Sequence, residues 1–139
     1  MYRIGELAKL AGVTPDTIRY YEKQQMMDHN ARTEGGFRLY TDGDLQQLRF
    51  IRYARQLGFT LDVIKKLLAI RIEPDNYTCQ DLTNIVLIRL NEVESHIEEF
   101  LMMRRSLQEL NEICAGQDNN NIYCSILEVI EQGASKSRS

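Results

Sequence analysis

Apolar positions fall at helical spacing from the start of the chain. Ile4, Leu7, Ala8 and Ala11 step by threes and fours, and Gly12 follows as a stop. Val13 then leads into Thr14-Pro15, a capping side chain followed by the residue type favoured at the first helical position. The helix so opened, Asp16 to about Lys23, turns Ile18 inward, with Tyr21 as a second inward candidate. Thr17, Arg19, Tyr20 and Lys23 stay on its outer face. Two short helices joined by a tight turn make a helix-turn-helix, whose second helix enters the DNA major groove. That geometry alone is weak evidence, because many helical proteins contain such a turn.

The period then changes. Met26 and Met27 read as core filler, and Gly35-Gly36 is a hairpin turn signal. Phe37 and Leu39 alternate with Arg38 and Tyr40, as in a half-buried strand. The expected product is a two-stranded wing that sets Arg32 and Arg38 beside a phosphate backbone, the competing reading being a plain surface hairpin. Helical spacing returns at Leu45, Leu48, Ile51 and Ala54, behind the capping box Thr41-x-x-Asp44 and ahead of Gly58. A fourth helix, capped by Thr60, carries Leu61, Ile64, Leu67 and Leu68. Arg49, Arg52, Arg55, Lys65 and Lys66 decorate this pair, and a solvated face is their default role.

Residues 71–78 form a hinge, with Pro74 breaking the helical pattern and Thr78-x-x-Asp81 capping a fifth, much longer helix. From Cys79 a stripe runs through Thr83, Val86, Leu90, Val93, Ile97, Phe100, Arg104, Leu107 and Asn111 to Cys114, in steps alternating four and three. This is the seam of a coiled coil, narrow enough to suit one partner helix. It is also nearly symmetric about its middle. In an antiparallel pair of identical helices Val86 meets Leu107, Val93 meets Phe100, and Cys79 meets Cys114 of the other copy. At about 1.5 Å per residue the helix is roughly 50 Å long, so the two cysteines meet only across a two-fold dimer. The bland alternative is that both are small buried apolar residues. After Cys114 a polar loop leads to Cys124, which opens a short helix through Ile126, Leu127 and Ile130, expected to stop near Gly133 with a disordered tail over 134–139.

Charge sharpens this division. Residues 1–72 hold 12 Lys and Arg against 8 Asp and Glu, whereas 73–139 hold 5 against 12. A basic front half on a chain of net charge −3 points to phosphate as its partner. No stretch approaches membrane-spanning length and the first residues lack a signal peptide's apolar run, so a cytoplasmic protein is expected. Three cysteines without a CxxC spacing favour metal ligation or burial over structural disulfides. No His, Cys and carboxylate constellation suggests turnover, so no enzyme is expected. His29 is a lone loop residue, and His96 falls near the middle of the long helix, away from the cysteines.

Thr17-Ile18-Arg19-Tyr20-Tyr21-Glu22, the segment Gly36-Phe37-Arg38-Leu39-Tyr40 and the long helix after them resemble the MerR family of transcription regulators, over nearly the whole chain. The resemblance implies a mainly α fold: a winged helix-turn-helix domain over 1–70, the hinge, an antiparallel coiled-coil dimerisation helix over 79–114, and a metal-binding loop and short helix over 115–133. It implies a homodimer on an over-long promoter spacer, distorted when metal is bound so that RNA polymerase engages both promoter elements and metal efflux is switched on. The expected DNA-facing set is Thr14, Thr17, Arg19, Tyr20, Lys23, Arg32, Arg38 and Tyr40. Carried over residue by residue, Cys79 of one copy joins Cys114 and Cys124 of the other around the ion.

The family's copper sensors have serine where this chain has Cys79. Three thiolates around a dication leave one net negative charge, and around a monocation two, which is costlier to bury. A thiophilic dication, Zn(II), Cd(II), Pb(II) or Hg(II), is therefore expected, and of these the resemblance, nearest to the family's zinc-responsive members, implies Zn(II). The zinc sensors of the family hold two ions using a further cysteine and a histidine. Here Ala115 and Asn119 stand at those places, so a second site is not expected, and Asp118, water or an anion is left to complete a tetrahedron. A thiol-redox regulator using the same cysteines is the competing class, and a metal carrier without gene control would leave the DNA-binding segments unexplained.

Overall fold

The computed structural model describes residues 1–28, 31–32, 36, 38–114 and 125–136, with side chains at all of these except 31, 32, 114, 125 and 134–136. It contains six α-helices, a two-stranded hairpin and one 3-10 turn among those residues. Helix α1 (Ile4–Ala11) ends where Gly12 takes φ 72°, ψ 33°, a left-handed conformation that costs glycine little. Helix α2 (Pro15–Lys23) opens on Thr14, whose hydroxyl accepts from the Thr17 amide at 3.2 Å. Strands β1 (Ala31–Arg32) and β2 (Arg38–Leu39) pair antiparallel, Ala31 against Leu39 and Arg32 against Arg38. A bridge between Tyr2 and Tyr40 ties the wing to the start of the chain.

Helix α3 (Asp42–Gln56) carries the expected capping box, Asp44 amide to Thr41 hydroxyl at 3.1 Å and Thr41 amide to Asp44 carboxylate at 2.8 Å. Helix α4 (Leu61–Ile72) is capped by Thr60. The apolar faces of α1 to α4 close on one core, in which Leu7, Ile18, Tyr40, Leu48, Ile51 and Ile64 are fully enclosed.

The hinge is a 3-10 turn (Pro74–Asn76), after which the reciprocal Thr78–Asp81 bonds start α5 (Cys79–Cys114), a helix of 36 residues with the expected ends. The compact N-terminal unit runs from Met1 to Arg89 and so takes in the start of α5. Ile85 packs on the core, and Arg89 Nε donates to the Leu57 carbonyl at 2.9 Å. The Arg89 guanidinium also lies against Gly58, where φ is +84° and a Cβ would collide with it. The first three turns of the long helix are thus built into the helix-turn-helix unit.

Leu90 to Ser139 form a second unit, containing the rest of α5 and α6 (Ser125–Lys136). Helix α6 does not stop at Gly133: it continues to Lys136, since a glycine inside a helix costs only ~1 kcal/mol and no proline follows. Along α5 the seam residues Val86, Leu90, Ile97, Phe100 and Leu107 are all exposed. The exposed apolar surface is wider than the seam, reaching Leu87 and Leu101 on one flank and Leu82 and Met103 on the other. No described helix is long and apolar enough to cross a membrane.

Candidate nucleic-acid interface and cysteine positions

Helix α2 presents its outer face as its sequence requires, because Ile18 and Tyr21 are buried one turn apart and fix the helix's rotation. Arg19, Tyr20 and Lys23 are exposed on it. Arg19 pairs with Asp16 at 2.9 Å, both side chains well exposed. Such a surface pair is worth at most about 1 kcal/mol, so it yields readily to a phosphate. The Tyr20 ring lies 5.9 Å from that of buried Tyr21, which limits its freedom. Thr14 spends its hydroxyl on the cap and on Thr17, 2.9 Å away, so these two act first in setting the start of the helix.

At the wing root lies a group whose role the sequence did not reveal. The Glu22 side chain is only 4% exposed, and its carboxylate accepts from Arg38 Nη1 at 2.8 Å and from the Tyr40 hydroxyl at 3.2 Å. A buried carboxylate persists only with such partners. Glu22 therefore locks α2 to the wing and aims Arg38, which keeps further N–H donors on a half-exposed guanidinium. Tyr40 corrects the expected alternation. Its ring is fully buried, because β2 ends at Leu39 and the chain turns into α3, so it supports the interface from beneath and offers DNA no surface. Burial, then the Glu22 charge, push its phenol pKa up, keeping it a neutral donor. Arg19, Tyr20, Lys23 and Arg38 line one open cleft of about 500 Å³ together with Asp16 and Glu22. The Arg32 side chain lies outside the described residues, although its backbone is in β1.

Cys79 is the first residue of α5 and is exposed. Cys114 is the last residue of the same helix, its side chain outside the description, and Cys124 lies outside the described residues, as do Ala115, Asp118, Asn119 and His29. Among the described residues no three His, Cys, Asp or Glu side chains converge. His96 is exposed and faces Glu99 at 3.6 Å on its own helix.

A capped recognition helix, a braced wing and a basic outer face define a helix-turn-helix DNA-binding protein. Residues 2–69 match the model of the MerR HTH family regulatory proteins, and residues 45–110 that named MerR, DNA binding. The chain belongs to the MerR family, a class of transcription regulators rather than enzymes. It is 66% identical to the HTH-type transcriptional regulator ZntR of Escherichia coli K12, over 97% of this chain and 96% of that one. The regulator PbrR691 of Ralstonia metallidurans CH34, solved in complex with lead(II), superposes with a TM-score of 0.77 at 35% identity, covering 94% of this chain and 99% of that one. HiNmlR, a MerR family regulator lacking the sensor domain and solved bound to promoter DNA, gives a TM-score of 0.59 at 27% identity, over 82% and 83% of the two chains.

Proposed function

We propose that this chain is a homodimeric, Zn(II)-responsive activator that binds an over-long promoter spacer and, with metal, distorts it so that RNA polymerase engages both promoter elements and efflux of the metal is switched on. The observation that carries the reading is the pairing of an exposed Cys79 at one end of α5 with Cys114 at the other, along a helix whose apolar seam is uncovered. An antiparallel second copy covers that seam and brings its Cys114 and Cys124 to Cys79. A divalent ion held there would cross-link the two copies through three thiolates.

The same helix start is tied to the DNA-binding half. Cys79 directly follows the capping Thr78, inside the Thr78–Asp81 box, and Ile85 and Arg89 follow within the N-terminal unit. A change in how Cys79 is held is therefore felt by the turn at Leu57 and Gly58 between α3 and α4. For metal to act, it must favour the activating arrangement, and a shift from 1:99 to 99:1 needs about 5.5 kcal/mol of differential binding. The second reading is a response to Cd(II), Pb(II) or Hg(II). It is favoured by the donor set, in which three sulfurs stand without a cysteine at residue 115 or a histidine at residue 119, and by the lead(II) complex of PbrR691.

The test is transcription from the responsive promoter, with metal content, for the wild type and Cys79→Ser across the four metals. The expected result is loss of induction in the variant with promoter binding retained. Induction by oxidant in the absence of metal would establish the redox class instead.

A further inference from the structure

The turn between α3 and α4 is held from two helices at once. Its first residue, Leu57, closes α3, and the Leu57 carbonyl accepts from Arg89 Nε of α5 at 2.9 Å. Its third residue, Phe59, is buried in the core, and the Phe59 carbonyl accepts from Arg55 Nη1 of α3 at 3.0 Å. Between them stands Gly58, left-handed at φ +84°, with the Arg89 guanidinium in the space a Cβ would need. Any other residue would be strained in that conformation and would push the guanidinium away. Arg55 and Leu61 flank the turn, and with Thr17 and Tyr20 they line an open cleft of about 400 Å³ beside α2.

We infer that Arg89 is a positioning residue that couples the start of α5 to the recognition helix α2, through the Leu57–Phe59 turn and Arg55. The inference rests on the metal-responsive reading of Cys79 and deepens it by naming the contact that carries the response. Arg89 follows Cys79 by about 15 Å along one continuous helix, with Ile85 seated on the core between them. A tilt or twist at Cys79 therefore swings the guanidinium about that seat. A hydrogen bond weakens steeply below ~120°, so such a swing breaks the bond to Leu57 instead of stretching it. The half-buried Arg89 then vacates the space over Gly58, the residue type with the widest backbone freedom, and the turn is released. Made or broken, the contact gives the two discrete arrangements that coupling between sites requires. Because the Phe59 carbonyl holds Arg55, a shift of the turn is delivered to the wall that faces Thr17 and Tyr20.

Hydrogen–deuterium exchange on the full-length protein, with and without Zn(II) and repeated with Cd(II), Pb(II) and Hg(II), reads this coupling. The Gly58 and Phe59 amides donate to the Arg55 and Ala54 carbonyls, so their exchange reports opening of the turn. In wild type the bound ion should change their rates by ~5-fold or more, together with those of Asp81 and Leu82 at the helix start. Arg89→Gln should take up the ion in the wild-type amount and keep the response at Asp81 and Leu82, while the response at Gly58 and Phe59 is lost. A residue that merely supports the fold behaves otherwise. Its loss speeds exchange at the turn in both states and leaves the ratio between them as in wild type, and that result overturns the inference. Gly58→Ala attacks the same contact from the other side and should also abolish the ratio; a wild-type ratio in that variant places the coupling elsewhere. An ion bound by wild type with a response confined to Asp81 and Leu82 overturns the inference and leaves the metal-responsive reading intact. Uptake of none of the four ions by wild type overturns both.

Discussion

The two units of the chain spend their apolar residues in opposite ways. In Met1–Arg89 the helices close on one another, and every buried apolar residue lies at or before Ile70. From Leu90 onward no described residue is buried, although Phe100, Leu101, Met102 and Leu107 are as apolar as anything in the core. The first unit makes its own solvent-free interior and the second presents one half of an interior. A helix apolar over such a width gains little from forming alone, because most helical stability comes from packing of its apolar face. The difference suits recognition by the self-sufficient unit and, in the dimer proposed above, association by the other.

The largest effect expected from breaking this contrast is at Phe100, which is 67% exposed in the single chain. Phe100→Asp leaves the N-terminal unit untouched, yet in a two-fold dimer it buries a carboxylate twice, at a cost on the order of 3 kcal/mol per copy. Sedimentation equilibrium should show a dimer turned into a monomer with the helix-turn-helix still folded. An unchanged dimer would place the interface elsewhere. Next comes Arg38→Ala in the first unit. It strips a partner from buried Glu22 and should lower stability by about 2 kcal/mol, seen as a fall of several degrees in the melting temperature. Adding Glu22→Gln should restore part of that loss, and the absence of any coupling would mean that the pair does not brace the wing.

The smallest effect lies at the junction. The Thr78 amide, and then its hydroxyl, hold the Asp81 carboxyl below its ordinary pKa of 3.8. A depressed folded-state pKa gives stability that is present above the ordinary value and lost as pH falls through the folded one. The start of α5 should therefore loosen only in strong acid, measured as faster amide exchange at Asp81 and Leu82. Asp81→Asn should abolish that dependence, and a transition near neutral pH would require a different group.

Much of this was legible because caps and turns are local chemistry. Thr14, Thr41, Thr60 and Thr78 each begin a helix where their hydroxyls suggest, and the coiled-coil spacing located both ends of α5. What was illegible is non-local. Arg89 bonds a carbonyl 32 residues away, so no local spacing reveals that the start of α5 belongs to the first compact unit. Glu22 looks like any surface glutamate until the wing folds over it, and alternation points Tyr40 outward but fails because β2 ends one residue before it. Of the three cysteines, Cys79 is exposed at the first position of α5, while the side chains of Cys114 and Cys124 lie outside the description.

The central claim is that each metal site takes its sulfurs from two chains, and mixed dimers test it directly. Cys79→Ser and Cys114→Ser proteins, each alone, should bind no metal tightly. Exchanged into a heterodimer, one carries the intact Cys114 and Cys124 and the other the intact Cys79, so one full site reappears. Equilibrium dialysis against Zn(II) should then give half the wild-type metal per dimer. A heterodimer as empty as its parents would contradict the account, because it would mean that the cysteines of a site all come from one chain.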